Sequence, residues 1–161
     1  MGSTLKESEL GEDAPVENFS TTKAAAEFAA MYGTSRLTGG HVIMLDNRGG
    51  VGNASERAAL AAVAAFPGDL QVGGGVTPAS ALRYLDAGAS HVIVTSYVFQ
   101  DGHIRFHLLD ELVSVVGRHR LELDLSCRRK EEGGEYYVTN KWTKFTDFPL
   151  TPDNLARLGS R

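Results

Sequence analysis

Apolar residues in this chain switch repeatedly between two spacings. Short runs of strand length, His41–Leu45, Leu70–Val72 and His91–Val94, are separated by segments whose apolar residues recur at helical intervals. Ala24, Ala25, Phe28 and Met31 predict a first helix, with caps offered by Ser20, Thr21 and Thr22 and an end at Gly33. Asn53 followed by Glu56 reads as a capping box opening an alanine-rich helix that buries Leu60, Val63 and Phe66 and stops at Pro67-Gly68. A third helix is expected to place Leu82 and Leu85 inward and to end at Ala87-Gly88. A fourth carries Leu108, Leu112, Val115 and Val116 to Gly117. Leu121 to Ser126 alternates strictly, and Tyr136 to Thr139 pairs back across a charged turn as a β arm over 128–142. Thr151-Pro152-Asp153 begins a last short helix.

Strands separated by helices of this length imply a parallel sheet with crossover connections. A doubly wound open sheet and part of a (β/α)8 barrel both fit, and in either the chemistry sits at the C-terminal strand ends. Here those ends are Asp46, Gly73 to Gly75, Thr95-Ser96 and Asp124 to Ser126. The last strand favours the barrel. Leu121, Leu123 and Leu125 share one face, while Glu122, Asp124 and Ser126 share the other, which suits a barrel interior better than a sheet covered by helices on both sides. Glu122 lies furthest from the rim and reads as a salt-bridge partner or an edge residue.

Composition narrows the function. At 161 residues the chain is long enough for one domain with a core, and its net charge of -4 points to neither a nucleic-acid nor a membrane surface. One cysteine, Cys127, excludes an internal disulfide and disfavours a thiol-rich metal site. Residues 1–18 are polar and acidic and read as an exposed, mobile lead-in. The richest chemical stretch is Leu70 to Pro78, a strand ending in three glycines before a helix. Bare backbone N–H groups beside a helix N-terminus suit a phosphate oxygen. A tight turn that needs glycine only for its dihedrals explains the same letters.

Several segments carry a family resemblance: Gly2-Ser3-Thr4-Leu5, Leu37 to Leu45, Leu70 to Gly75, Gly88 to Phe99, Leu123 to Arg128, Trp142 and Phe145-Thr146-Asp147. In this order and spacing the chain resembles the ProFAR isomerases of histidine biosynthesis, of the plant and algal kind. The resemblance implies a (β/α)8 barrel of about 250 residues. Strands two to five fall within this chain, and the chain is expected to be a fragment cut at both ends, 1–161 forming one partial-barrel domain.

The implied reaction is an Amadori rearrangement of an aminoaldose to an aminoketose, with no cofactor and no metal. It needs one acid and one base. Asp124 matches the carboxylate ending the fifth strand, and a two-residue shift would put Ser126 there instead. Gly74, Gly75, Thr95 and Ser96 match one phosphate grip, Arg128 an arginine on the arm, and Trp142 an aromatic that folds over the substrate. Asp124 paired with Arg128 as a structural carboxylate is the competing reading. The fragment alone is expected to be inactive. The family is usually monomeric and cytoplasmic or plastid, whereas open sheet edges would lead a fragment to self-associate. A non-catalytic phosphate-binding half-barrel that dimerises is the alternative function. An open dinucleotide binder is set aside because the G-x-G-x-x-G spacing is missing.

Overall fold

A computed structural model of the chain describes residues 2–4, 16–19, 21–45, 52–131, 133–140 and 144–161. Its centre is a four-stranded parallel sheet of β3 (Gly40–Ile43), β4 (Leu70–Gly73), β5 (His91–Val94) and β8 (Leu121–Leu123), ordered as in the sequence. Helices α2 (Ala54–Ala65), α3 (Pro78–Asp86) and α4 (Phe106–Val116) connect consecutive strands, and α1 (Ala25–Thr34) precedes them. Two elements close the chain: an antiparallel sheet of β9 (Cys127–Arg129), β10 (Tyr136–Asn140) and β11 (Lys144–Pro149), then α5 (Pro152–Gly159). The helix–strand alternation expected from the periodicity is therefore present.

Register separates the sheet into two faces, because successive side chains on a strand point opposite ways. Val42, Val72, Val92 and Leu121 are aligned across all four strands. With Leu70, Val94 and Leu123 they pack into one apolar cluster with Ala59, Ala62 and Val63 of α2, Tyr84 and Leu85 of α3, and Leu109, Leu112 and Val116 of α4. The alternate rows are His41-Gln71-His91 and Ile43-Gly73-Ile93-Glu122. They lie outside that cluster. Ile43 is 46% exposed, and Gln71 Oε1 and His91 Nδ1 are buried without a hydrogen-bond partner.

One charge is buried on the helical side. Asn53 caps α2 by accepting the Glu56 N–H at 2.8 Å, as its spacing predicts. The Glu56 carboxylate, 2% exposed, accepts the Gly52 N–H and pairs with Arg83 of α3. The Tyr84 hydroxyl lies 3.4 Å from the same carboxylate and 3.6 Å from Met44 Sδ. Such a charge is tolerable because each oxygen has a donor.

Several elements depart from expectation. The lead-in contains two short strands, β1 (Gly2–Thr4) and β2 (Val16–Phe19), paired antiparallel. Ala24 is the N-cap of α1, and its N–H donates to the Glu27 carboxylate at 2.9 Å, so Thr21 and Thr22 do not cap the helix; Ser20 lies outside the described residues. Met31 is half exposed and Leu82 is 42% exposed. The inward positions of α3 are Ala81, Tyr84 and Leu85, so Leu85 is inward as expected and Leu82 is not. The Gln100-Asp101-Gly102 turn sits inside a hairpin, β6 (Phe99–Gln100) and β7 (His103–Ile104). The arm continues past residue 142 into a third strand, β11.

Candidate active-site cleft at the strand ends

The glycine turn is dictated first by packing. Gly74 has φ +99°, and a Cβ there would fall 2.2 Å from the Met44 carbonyl oxygen. The Met44 N–H in turn donates to the Gly73 carbonyl at 2.9 Å. No side chain fits between these backbones, so Gly74 is required with or without a ligand. Gly75, at φ +73°, continues the turn and is exposed. Thr77 is the N-cap of α3 with Pro78 in the first turn, and the Ser80 hydroxyl accepts the Thr77 N–H at 3.1 Å.

Beside this turn, β5 leads into Thr95, Ser96 and Tyr97, and β8 leads into Asp124 and Ser126. Gly74, Gly75, Val76, Thr95, Ser96, Tyr97, Asp124 and Ser126 together line a cleft of about 230 Å³. Five residues picked from the sequence, Gly74, Gly75, Thr95, Ser96 and Asp124, thus meet in one place. The Asp124 N–H extends the ladder to the Val94 carbonyl (3.0 Å), leaving its side chain exposed at the cleft. Thr95 Oγ1 donates to Asp124 Oδ2 across 3.5 Å.

Asp124 makes no ion pair with Arg128 among the described residues; Thr95 is its partner. Ser126 also faces the cleft but is 6% exposed, and its carbonyl accepts both the N–H (2.7 Å) and the hydroxyl (3.0 Å) of Thr139 on β10. Of the two candidates for the acid, Asp124 is exposed at the cleft and Ser126 is buried. Arg128 is exposed on β9 opposite Tyr137 and does not line the cleft. Trp142 lies outside the described residues.

Two cleft residues, Val76 and Tyr97, are additions to those expected. Tyr97 directly follows the Thr95-Ser96 pair, and that adjacency is the signal that could have found it. Its hydroxyl donates to Glu111 of α4 at 3.0 Å. Burial, then the Glu111 hydrogen bond and negative charge, push the phenol above its ordinary 10.0, so it stays neutral near pH 7.

A larger cavity of about 340 Å³ lies under β8, lined mainly by Leu109, Val113, Leu121, Leu123, Leu125, Leu155 and Leu158. It is an apolar gap between β8, α4 and α5, lined by the leucines that alternate with Asp124 and Ser126. Among the described residues no cluster of histidine, cysteine and carboxylate side chains is arranged to hold a metal ion, and no helix is long and apolar enough to cross a membrane.

A parallel α/β sheet with a polar cleft at its C-terminal strand ends defines the class. Residues 12–154 match the family described as Histidine biosynthesis protein, and the chain belongs to that family. It is 50% identical over 153 residues to a chloroplastic isomerase from Medicago truncatula, whose name gives a phosphoribosylated imidazole-4-carboxamide, across 93% of this chain and 47% of that protein. Isomerases of the same name from Neurospora crassa (39% over 143 residues; 88% of this chain, 53% of that protein) and Eremothecium gossypii (41% over 160 residues; 98% and 58%) are also similar. The chain spans about half the length of the curated relatives it matches.

Proposed function

We propose that this chain supplies one phosphate grip and the acid of a ProFAR isomerase, as strands two to five of a (β/α)8 barrel. The supporting observation is the convergence of Asp124 with Gly74, Gly75, Thr95 and Ser96 on one cleft. The substrate carries a phosphate on each ribosyl group. One phosphate sits at the glycine turn, beside the N-terminus of α3, where backbone N–H groups and the hydroxyls of Thr95 and Ser96 donate to it. Thr95 does double duty, because it also hydrogen-bonds Asp124 and so fixes the carboxyl relative to the phosphate.

Asp124 protonates the ring oxygen of the aminoaldose as the ring opens to an imine. A base then takes the C2 proton, giving the enolamine that becomes the aminoketose. Among the described residues Asp124 is the one carboxylate lining the cleft, so the base comes from a group facing it from outside this set. Arg128, on the arm, contacts the bound substrate, and the resemblance gives Trp142 a role against the substrate as well.

The test is calorimetric titration of the purified chain with ribose 5-phosphate, alongside a coupled assay with the aminoaldose. We expect binding that Ser96→Asp reduces at least tenfold and Asp124→Asn leaves intact or tightens, without turnover by the chain alone. Binding indifferent to Ser96→Asp overturns the grip, and turnover by the chain alone overturns the assignment of the base to a group outside it. The second reading is a non-catalytic phosphate-binding module that dimerises. It is favoured by β3 and β8 each lacking a further strand partner among the described residues. Its mark is a dimer in sedimentation whose dissociation exposes those two edges to hydrogen exchange.

A further inference from the structure

We infer that the β6–β7 hairpin couples the phosphate cradle to the β9–β11 arm, with His103 and Asp147 as the positioning pair; this deepens, and rests on, the phosphate reading of the cleft. The hairpin grows directly out of the cradle. The Phe99 N–H donates to the Ser96 carbonyl at 3.3 Å, and the Arg105 N–H closes the hairpin base on the Val98 carbonyl at 2.8 Å. Val98 and Phe99 are buried, so the base is rooted in the core. Asp101 and Gly102 both have positive φ, +53° and +79°, the pairing that a tight two-residue turn demands.

The tip of that turn meets the arm. The Gly102 carbonyl accepts the Asp147 N–H at 2.9 Å, and His103 Nδ1 lies 2.7 Å from Asp147 Oδ2. The next residue, Phe148, is buried edge-on against Phe99 and Phe106, with ring centroids 6.1 and 6.5 Å away. The arm is held from its other side by Thr139, whose N–H and hydroxyl both go to the carbonyl of Ser126. Thr146 ties the two arm strands together through the Val138 carbonyl at 2.8 Å.

Each anchor is therefore a short step from a residue that lines the cleft: Ser126 itself, and Ser96 through the hairpin. A ligand that orders Thr95 and Ser96 orders the hairpin root, and the hairpin tip carries that order to β11. His103 and Asp147 are both more than half exposed. An exposed pair adds little to global stability. Its location where the hairpin tip meets β11, beside the Asp147 N–H to Gly102 carbonyl bond, makes it a transmission point rather than a staple.

Hydrogen exchange of the 161-residue chain, with and without inorganic phosphate, tests this in the wild type, Asp147→Asn and His103→Gln. Phosphate is expected to slow exchange at residues 95–98 and across β9–β11 in the wild type. In both variants the cradle still slows, while slowing in the arm falls about threefold and melting is unchanged. Slowing confined to the cradle in the wild type, or arm slowing that survives both variants, overturns the coupling and leaves the phosphate reading standing. No slowing in either region overturns that reading and the coupling with it.

Discussion

The two faces of the parallel sheet obey different rules although the same strands build both. On the helical face, Val72 and Val92 are fully buried and the one buried carboxylate among the described residues, Glu56, has its donors. On the opposite face a row of His41, Gln71 and His91 leaves two buried polar atoms without partners, and Glu122 and Asp124 follow toward the rim. A buried polar atom without a hydrogen bond costs stability. The difference teaches that alternation along a strand here divides labour: one parity makes the core, and the other carries polar groups that the fold does not need.

The largest expected effect tests the packed face. Leu112→Ala, at a fully buried position on α4, is expected to cost about 2–5 kcal/mol, whereas Ile43→Ala on the open face costs under ~1 kcal/mol. Denaturant unfolding of both variants checks this, and equal losses would break the distinction between faces. Next in size, Gln71→Leu removes the buried, unpartnered Oε1 and leaves an apolar group. It should stabilise the chain by about 1 kcal/mol. Destabilisation would mean that the open face is already satisfied.

The smallest effect is alkaline. Burial raises the Tyr84 phenol, with Arg83 acting against it, and burial with Glu111 raises Tyr97. In the unfolded chain both titrate near 10.0, below their folded values. The folded state then holds its protons longer, so stability is level below pH 10 and falls as pH rises through the folded values. Unfolding curves at pH 8 and above pH 10 should show the fall. Tyr84→Phe should remove more of it than Tyr97→Phe, since Tyr84 is 1% exposed and Tyr97 borders the cleft.

The strand–helix rhythm was legible because apolar spacing reports which side of an element is buried, and the parallel sheet follows from it. The cleft was legible where chemistry and position coincide, at Gly74, Thr95 and Asp124. Parity alone does not separate Asp124 from Ser126, since both line the cleft. Strand β11 stayed hidden because one of its inward positions is Thr146, polar in the letters yet 3% exposed, with its hydroxyl spent on the Val138 carbonyl. The hairpin of β1 and β2 consists of three- and four-residue strands separated by eleven residues, too short for a periodic signal. Leu82 misled because helical spacing alone did not reveal that the Tyr84 side of α3 faces Glu56.

The close approach of Gly74 to the Met44 backbone has a consequence for how the cleft can diversify. A position that excludes any Cβ admits no variation, by drift or by design. Its neighbour Gly75 sits at a backbone angle that side chains rarely adopt. Of the turn and the β5 end, Ser96 is the exposed residue without a positive φ. Libraries aimed at altering the proposed phosphate grip should therefore concentrate their codons at Ser96 and keep both glycines fixed.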